Sequence, residues 1–147
     1  MCDMAHSWLL LRPKLKGEIL STRFRADREN PSWERDLLVC VRVFNERPQQ
    51  TQVKDWELEM TGAPAYLSCQ CDPAIWERYS DLSAVPTDTR AMDPERLFTQ
   101  NLNHIGWLCF RIPTSVETER SKWSLAAIDA KGRKHVIQKN FTLPSDS

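Results

Sequence analysis

The sequence predicts an all-β fold, a single antiparallel β-sandwich of about seven strands with one short helical insertion. Three observations carry that expectation. Apolar residues recur with period two through most of the chain, which is the spacing of half-buried strands. Turn signals return at intervals of roughly 8–12 residues. Nine Pro and only four Gly punctuate the 147 residues, and the prolines fall mostly between apolar segments, where a fixed φ and a missing donor do least harm.

Residues 1–12 read as an N-terminal tail or an extra strand, in which Trp8-Leu9-Leu10-Leu11 is suited to a sheet edge. The sandwich is expected over 13–144. Its first strand covers 15–26 and carries Leu15, Ile19 and Phe24, with a bulge near Gly17. Next, Leu37, Val39, Val41 and Val43 alternate with Leu38, Cys40, Arg42 and Phe44. Both faces are apolar until Arg42, so this is a central strand. After the polar connection 45–50, Trp56, Leu58 and Met60 share one face of a strand whose other face is Asp55, Glu57 and Glu59.

Residues 73–82 leave this period: Ile75, Tyr79 and Leu82 are spaced by four and three, with Asp72 as N-cap and Pro73 at the first helical position. One helix of two to three turns follows from that spacing. The polar stretch 83–95 reads as a long surface loop, of a kind that often carries function. Helix and loop together make the insertion at about 73–97. Strands then resume over 105–112, with Leu108, Phe110 and Ile112 opposite Trp107, Cys109 and Arg111. The strands 123–128 and 135–141 flank Asp129-Ala130-Lys131-Gly132, the strongest hairpin signal in the chain.

The runs 37–45 and 53–60, with 106–113 and 125–133 as closing strands, resemble small immunoglobulin-like domains of bacterial proteins of unassigned function. The resemblance covers roughly residues 13–141 and implies an Ig-like sandwich without implying an activity. It departs from the antibody pattern, since no Cys…Trp…Cys framework is spaced for an inter-sheet disulfide.

Twenty Lys and Arg balance twenty Asp and Glu, so no global field draws the chain to nucleic acid or anionic lipid. Residues 61–99 hold three basic against six acidic residues and 100–147 hold seven against four, giving either complementary surfaces or a basic edge for a partner. Arg12, Lys14, Lys16, Arg23, Arg25 and Arg28 form a basic stripe, but the stacking aromatics that nucleic-acid binding needs are sparse there. The run Trp8-Leu9-Leu10-Leu11 is far short of the about 20 residues of a membrane span, and it lacks the flank of a signal peptide. An odd count of five cysteines, with Cys40 and Cys109 inside apolar runs, suits reduced thiols and a cytoplasmic location.

Chemistry-bearing motifs are few. Cys69-Gln70-Cys71 would place its thiols on opposite faces of a strand, which is awkward for joint metal ligation. Cys109 with His104 or His135 is the candidate nucleophile pair, and both histidines read as exposed residues near strand ends. No Walker, Rossmann, Gly-x-Ser-x-Gly or His-Glu-x-x-His motif is present. No cofactor is expected.

Aromatic residues are the more abundant resource. Trp56, Trp107 and Trp123 read as core, whereas Trp8, Trp33 and Trp76 sit near segment ends or on the helix. Trp76 and Tyr79 either plug one end of the sandwich or anchor a partner. The expected function is a non-enzymatic interaction or accessory module whose contact region is Trp76, Tyr79, Asp88 and Arg90. The partner would be another protein or a second copy, docking at this insertion or at an edge strand. The alternatives are a small-molecule or metal binder centred on Cys69, Cys71 and His104, or a thiol-dependent enzyme using Cys109 or Cys71.

Overall fold

The computed structural model describes residues 12–25, 34–61, 67–70, 92–113 and 121–143. They form an all-β sandwich: β1 (Leu15–Arg25), β2 (Glu34–Asn45), β3 (Thr51–Thr61), β4 (Leu67–Gln70), the two-residue β5 (Leu97–Phe98), β6 (His104–Pro113), β7 (Lys122–Asp129) and β8 (Lys134–Phe141). One sheet has the order β1-β2-β6, and the other has the order β4-β3-β7-β8, with β5 also paired to β3. Every strand pair is antiparallel. The helix expected at 73–82, residues 83–91 of the expected loop and the tail 1–11 lie outside the described residues.

The alternation of apolar residues decides what faces inward. Leu37, Val39, Val41 and Val43 of β2 and Leu108, Phe110 and Ile112 of β6 meet Trp56, Leu58 and Met60 of β3 and Trp123, Leu125 and Ala127 of β7 in one buried core. The opposite face of β2 and β6 is also buried, in a second cluster of Leu38, Cys40, Trp107 and Cys109. That is why β2 reads as apolar on both faces: it is the middle strand of its sheet and carries buried residues on each side. Trp56, Trp107 and Trp123 are all buried, as expected.

The bulge of β1 is displaced from the expected place. The register with β2 jumps between Ile19 and Ser21, leaving Leu20 half exposed. Gly17 serves a different need: a Cβ there would lie 2.0 Å from the carbonyl oxygen of Arg42, so only glycine permits this close approach of two backbones.

The outer edge of β1 meets β8 through side chains. His135 Nδ1 accepts the backbone N–H of Leu15 at 3.2 Å, and Gln138 Oε1 accepts that of Ile19 at 2.8 Å. The two sheets are thus tied along one side by an imidazole and a carboxamide instead of a backbone ladder.

Candidate functional site

The start of β1, the β2–β3 turn, β5, the start of β6 and the β7–β8 turn all gather at one pole of the sandwich. Asn45, fully buried, organises it. Its Oδ1 accepts the N–H of Lys14 at 3.1 Å and that of Arg47 at 3.0 Å. Its Nδ2 donates to the carbonyls of Gln49 at 2.8 Å and Phe98 at 3.1 Å. A carboxamide has two donor hydrogens and two acceptor lone pairs, and here all are used. The backbone carbonyl of Asn45 also accepts the N–H of Asn101, a residue with φ of 61°.

Asp129, 1% exposed, organises the β7–β8 turn. Its Oδ1 accepts the backbone N–H groups of Lys131 and Arg133, each at 2.9 Å, and its Oδ2 accepts His135 Nε2–H at 2.9 Å. The turn itself is closed by Gly132 N–H donating to the Asp129 carbonyl, with Gly132 at φ of 82°. Burial alone would raise the Asp129 pKa. The hydrogen bonds from His135, Arg133 and Lys131 outweigh it and hold the carboxyl below its usual 3.8. Because Nδ1 of His135 accepts from Leu15, its proton sits on Nε2, facing Asp129. One histidine therefore joins the hairpin to the edge of β1.

Between these two hubs lies a partly open cavity of about 220 Å³, lined among others by Gln50, Gln52, Leu97, Asp129, Lys131 and Arg133. Gln52 is one of its lining residues: its carbonyl accepts Ala130 N–H at 2.9 Å and its Nε2 donates to the Glu95 carbonyl at 2.9 Å. Nη1 of Arg133 is buried with no hydrogen-bond partner. The segment 97–105 exposes Leu97 (50%) at the cavity and Leu102 (55%) further along, while Ile105 (47%) is exposed on the face of β6 that carries Trp107 and Cys109.

His104 is not the exposed loop residue expected from sequence. It opens β6, is 6% exposed, and sits edge-on to Phe98 with ring centroids 4.9 Å apart. Arg96 Nη1 donates to its Nδ1 at 2.9 Å, leaving a buried Nε2 without a partner. Burial, and after it the charge of Arg96, pushes its pKa below the usual 6.5. A guanidinium beside one ring nitrogen opposes a metal cation there. Nor is His135 an exposed residue near the turn, since its ring is held at both nitrogens within β8.

Cys40 and Cys109 are buried thiols of the second cluster, and burial raises the Cys40 pKa. Cys109 and His104 project from opposite faces of β6, because they are five positions apart on a strand of period two. Cys109 likewise faces away from the sheet that holds His135. Trp76, Tyr79, Asp88, Arg90 and Cys71 lie outside the described residues, and of Cys69 only the backbone is described, opposite Leu58 in the β3–β4 pairing. Among the described residues no three His, Cys, Asp or Glu side chains gather as a metal ion requires. Sequence reasoning passed over Asn45, Gln52 and Arg133; the Asn-x-Arg and Asp-x-Lys spacings of the two turns were their only local signal.

No family model matches the chain, and no curated protein matches it. Its class is that of its fold, an antiparallel β-sandwich with two turns and a short edge strand converging on a partly open cavity. No helix among the described residues is long and apolar enough to cross a membrane.

Proposed function

We propose that the chain is a non-enzymatic interaction module that docks a protein partner on this pole. The exposure of Leu97 and Leu102 on a pole cross-braced by Asn45 and Asp129 carries the reading. Apolar side chains held on a fixed frame lose little entropy when covered, which is what an interface needs. Lys131 and Arg133 make no ion pair among the described residues, so the partner's matching face is apolar with an acidic border. The same reading extends to Trp76, Tyr79, Asp88 and Arg90 as further contact residues. It also includes an immunoglobulin-like assignment, supported by the two antiparallel sheets, and a cytoplasmic location, supported by the buried thiols Cys40 and Cys109, which form no disulfide.

The test is affinity purification of the tagged protein from its own cells, followed by titration of the purified partner against the wild type, Leu97→Ser/Leu102→Ser and Trp76→Ala. Docking at the pole predicts at least tenfold weaker binding by the double serine variant with its melting temperature kept. Equal affinities for wild type and double variant would remove the pole from the interface. A loss confined to Trp76→Ala would move the contact to the insertion.

A further inference from the structure

We propose that the segment 92–103 is an acid-released latch, held shut by the neutral imidazole of His104 and freed when that ring takes up a proton. Its consequence for docking rests on the reading above, because the segment carries Leu97 and Leu102; the latch itself rests on the geometry at His104.

The chemistry of the pair fixes the state of the ring. A guanidinium has donors and no acceptor. The 2.9 Å contact from Arg96 Nη1 therefore requires a lone pair on His104 Nδ1, and the ring's single N–H lies at Nε2. A proton added at Nδ1 turns that acceptor into a donor and sets two cations against each other. Arg96 is exposed and is free to turn into water. The imidazolium cannot follow it. It would remain 6% exposed, with Phe98 against it and no partner at Nε2. A buried cation without an acceptor either loses its proton or reaches water. Here water is reached by lifting the residues that cover the ring, Arg96 and Phe98.

No carboxylate offsets the added charge. β2 brings Val43, the register partner of His104, and β6 itself brings Gly106 on the same face. β5 brings Phe98, which pairs with the uncharged Thr51 of β3. The acids of the adjoining segments are Glu46, Asp93 and Glu95. Glu46 pairs with Lys14 and Lys16, Asp93 accepts the Glu95 N–H, and none of the three is bonded to either ring nitrogen. Burial first, and the charge of Arg96 second, accordingly hold the ring's pKa below 6.5.

The segment is also lightly held. β5 is two residues long. Elsewhere the hold is a set of single bonds: Met92 N–H to the Trp107 carbonyl, Gln52 Nε2 to that of Glu95, Asn45 Nδ2 to that of Phe98, and Asn101 N–H to that of Asn45. A stretch so tied opens locally while the ten-residue β6 beneath it stays paired. An opened ring titrates near 6.5 and a covered one lower, so the opening constant rises up to about tenfold per pH unit between the two values.

The test follows amide hydrogen exchange of the full-length ¹⁵N-labelled protein at about pH 7.5 and 5.5, with rates corrected for the intrinsic effect of pH. The Asn101 amide is expected to lose about fivefold of its protection at the lower pH while the β2–β6 amides keep theirs. The ring nitrogen shifts of His104 should report the Nε2–H form at the higher pH. His104→Gln keeps an acceptor for Arg96 and cannot titrate, so its Asn101 protection should be equal at both. Arg96→Gln removes the cation that opposes the charge, so the loss should shrink; it decides the matter should the His104 variant fail to fold. An Nδ1–H ring, an equal loss at Asn101 and in the β2–β6 amides, or a full loss in either variant would overturn the latch. Partner affinity should fall with pH in the wild type and hold in His104→Gln. A constant affinity beside the Asn101 response supports the latch and removes the segment from the docking surface. If Leu97→Ser/Leu102→Ser releases the partner while Asn101 shows no response to pH, the latch is wrong and the docking pole stands.

Discussion

Replacing Asn45 by alanine would take their partner from the N–H groups of Lys14 and Arg47 and the carbonyls of Gln49 and Phe98, of which the Phe98 carbonyl is bonded in a fully buried place. A buried group left unpaired costs about 1–3 kcal/mol and the three part-buried groups can turn to water, so a loss of about 2 kcal/mol is expected. Urea denaturation measures it directly. His104 makes a prediction of opposite character. Its folded pKa lies below 6.5, so as pH falls the unfolded chain takes up a proton before the folded one does. Stability from this group is whole above about pH 6.5 and is lost as the pH drops toward the folded value. The urea midpoint should fall between about pH 7.5 and 5.5, and His104→Gln should flatten that fall by removing one titrating group. An unchanged slope would mean that the buried ring is solvated in ways its neighbours deny. Neither residue announces its role in the sequence. Asn45 looks like the first residue of a polar connection, because its partners Lys14 and Phe98 are 31 and 53 positions away. His104 looks exposed because it follows Asn101-Leu102-Asn103, and only the folding of Arg96 and Phe98 over it removes it from water.

Strands were the most legible level of this protein. The central position of β2, the in/out pattern of β3 and the β7–β8 hairpin all follow from period-two alternation and one glycine, because each depends on residues close together in sequence. The pairing of β5 with the start of β3 was not legible, since two residues have no period and their placement depends on Asn45 and Gln52. The two turn-side glycines separate two kinds of constraint. Gly132→Ala meets nothing within 4 Å but must adopt φ of 82°, so it should destabilise by about 1 kcal/mol. Gly17→Ala has an ordinary φ and no room, so it should cost more, about 2–3 kcal/mol, with β1 and β2 pushed apart. Thermal melting of the two variants ranks them. The seam between β1 and β8 gives a local test. His135→Ala and Gln138→Ala should speed amide hydrogen exchange at Leu15 and Ile19, respectively, while leaving the β2–β6 amides protected. Uniform acceleration across both sheets would show that the seam opens only with the whole fold.

The whole molecule joins one core between two sheets to a second, smaller cluster on the far face of β2 and β6. That arrangement hides two of the five cysteines. Thiol titration of the native protein should therefore find at most three fast-reacting groups, five less the buried Cys40 and Cys109, with the rest reacting only on unfolding. Four or five fast thiols would mean that the far face of β2 and β6 opens readily. The candidate site was the least legible feature at this scale. It is assembled from the β2–β3 turn, β5 and the β7–β8 turn, which no local pattern brings together. The side-chain seam has one more consequence. An unpaired strand edge is a template on which another chain can stack, and repeated stacking is how sheet proteins grow into fibrils. At Leu15 and Ile19 the imidazole of His135 and the amide of Gln138 already fill the positions a newcomer's carbonyls would need. Crowded solutions of this protein should for that reason stay clear at concentrations where a His135→Ala/Gln138→Ala chain turns turbid.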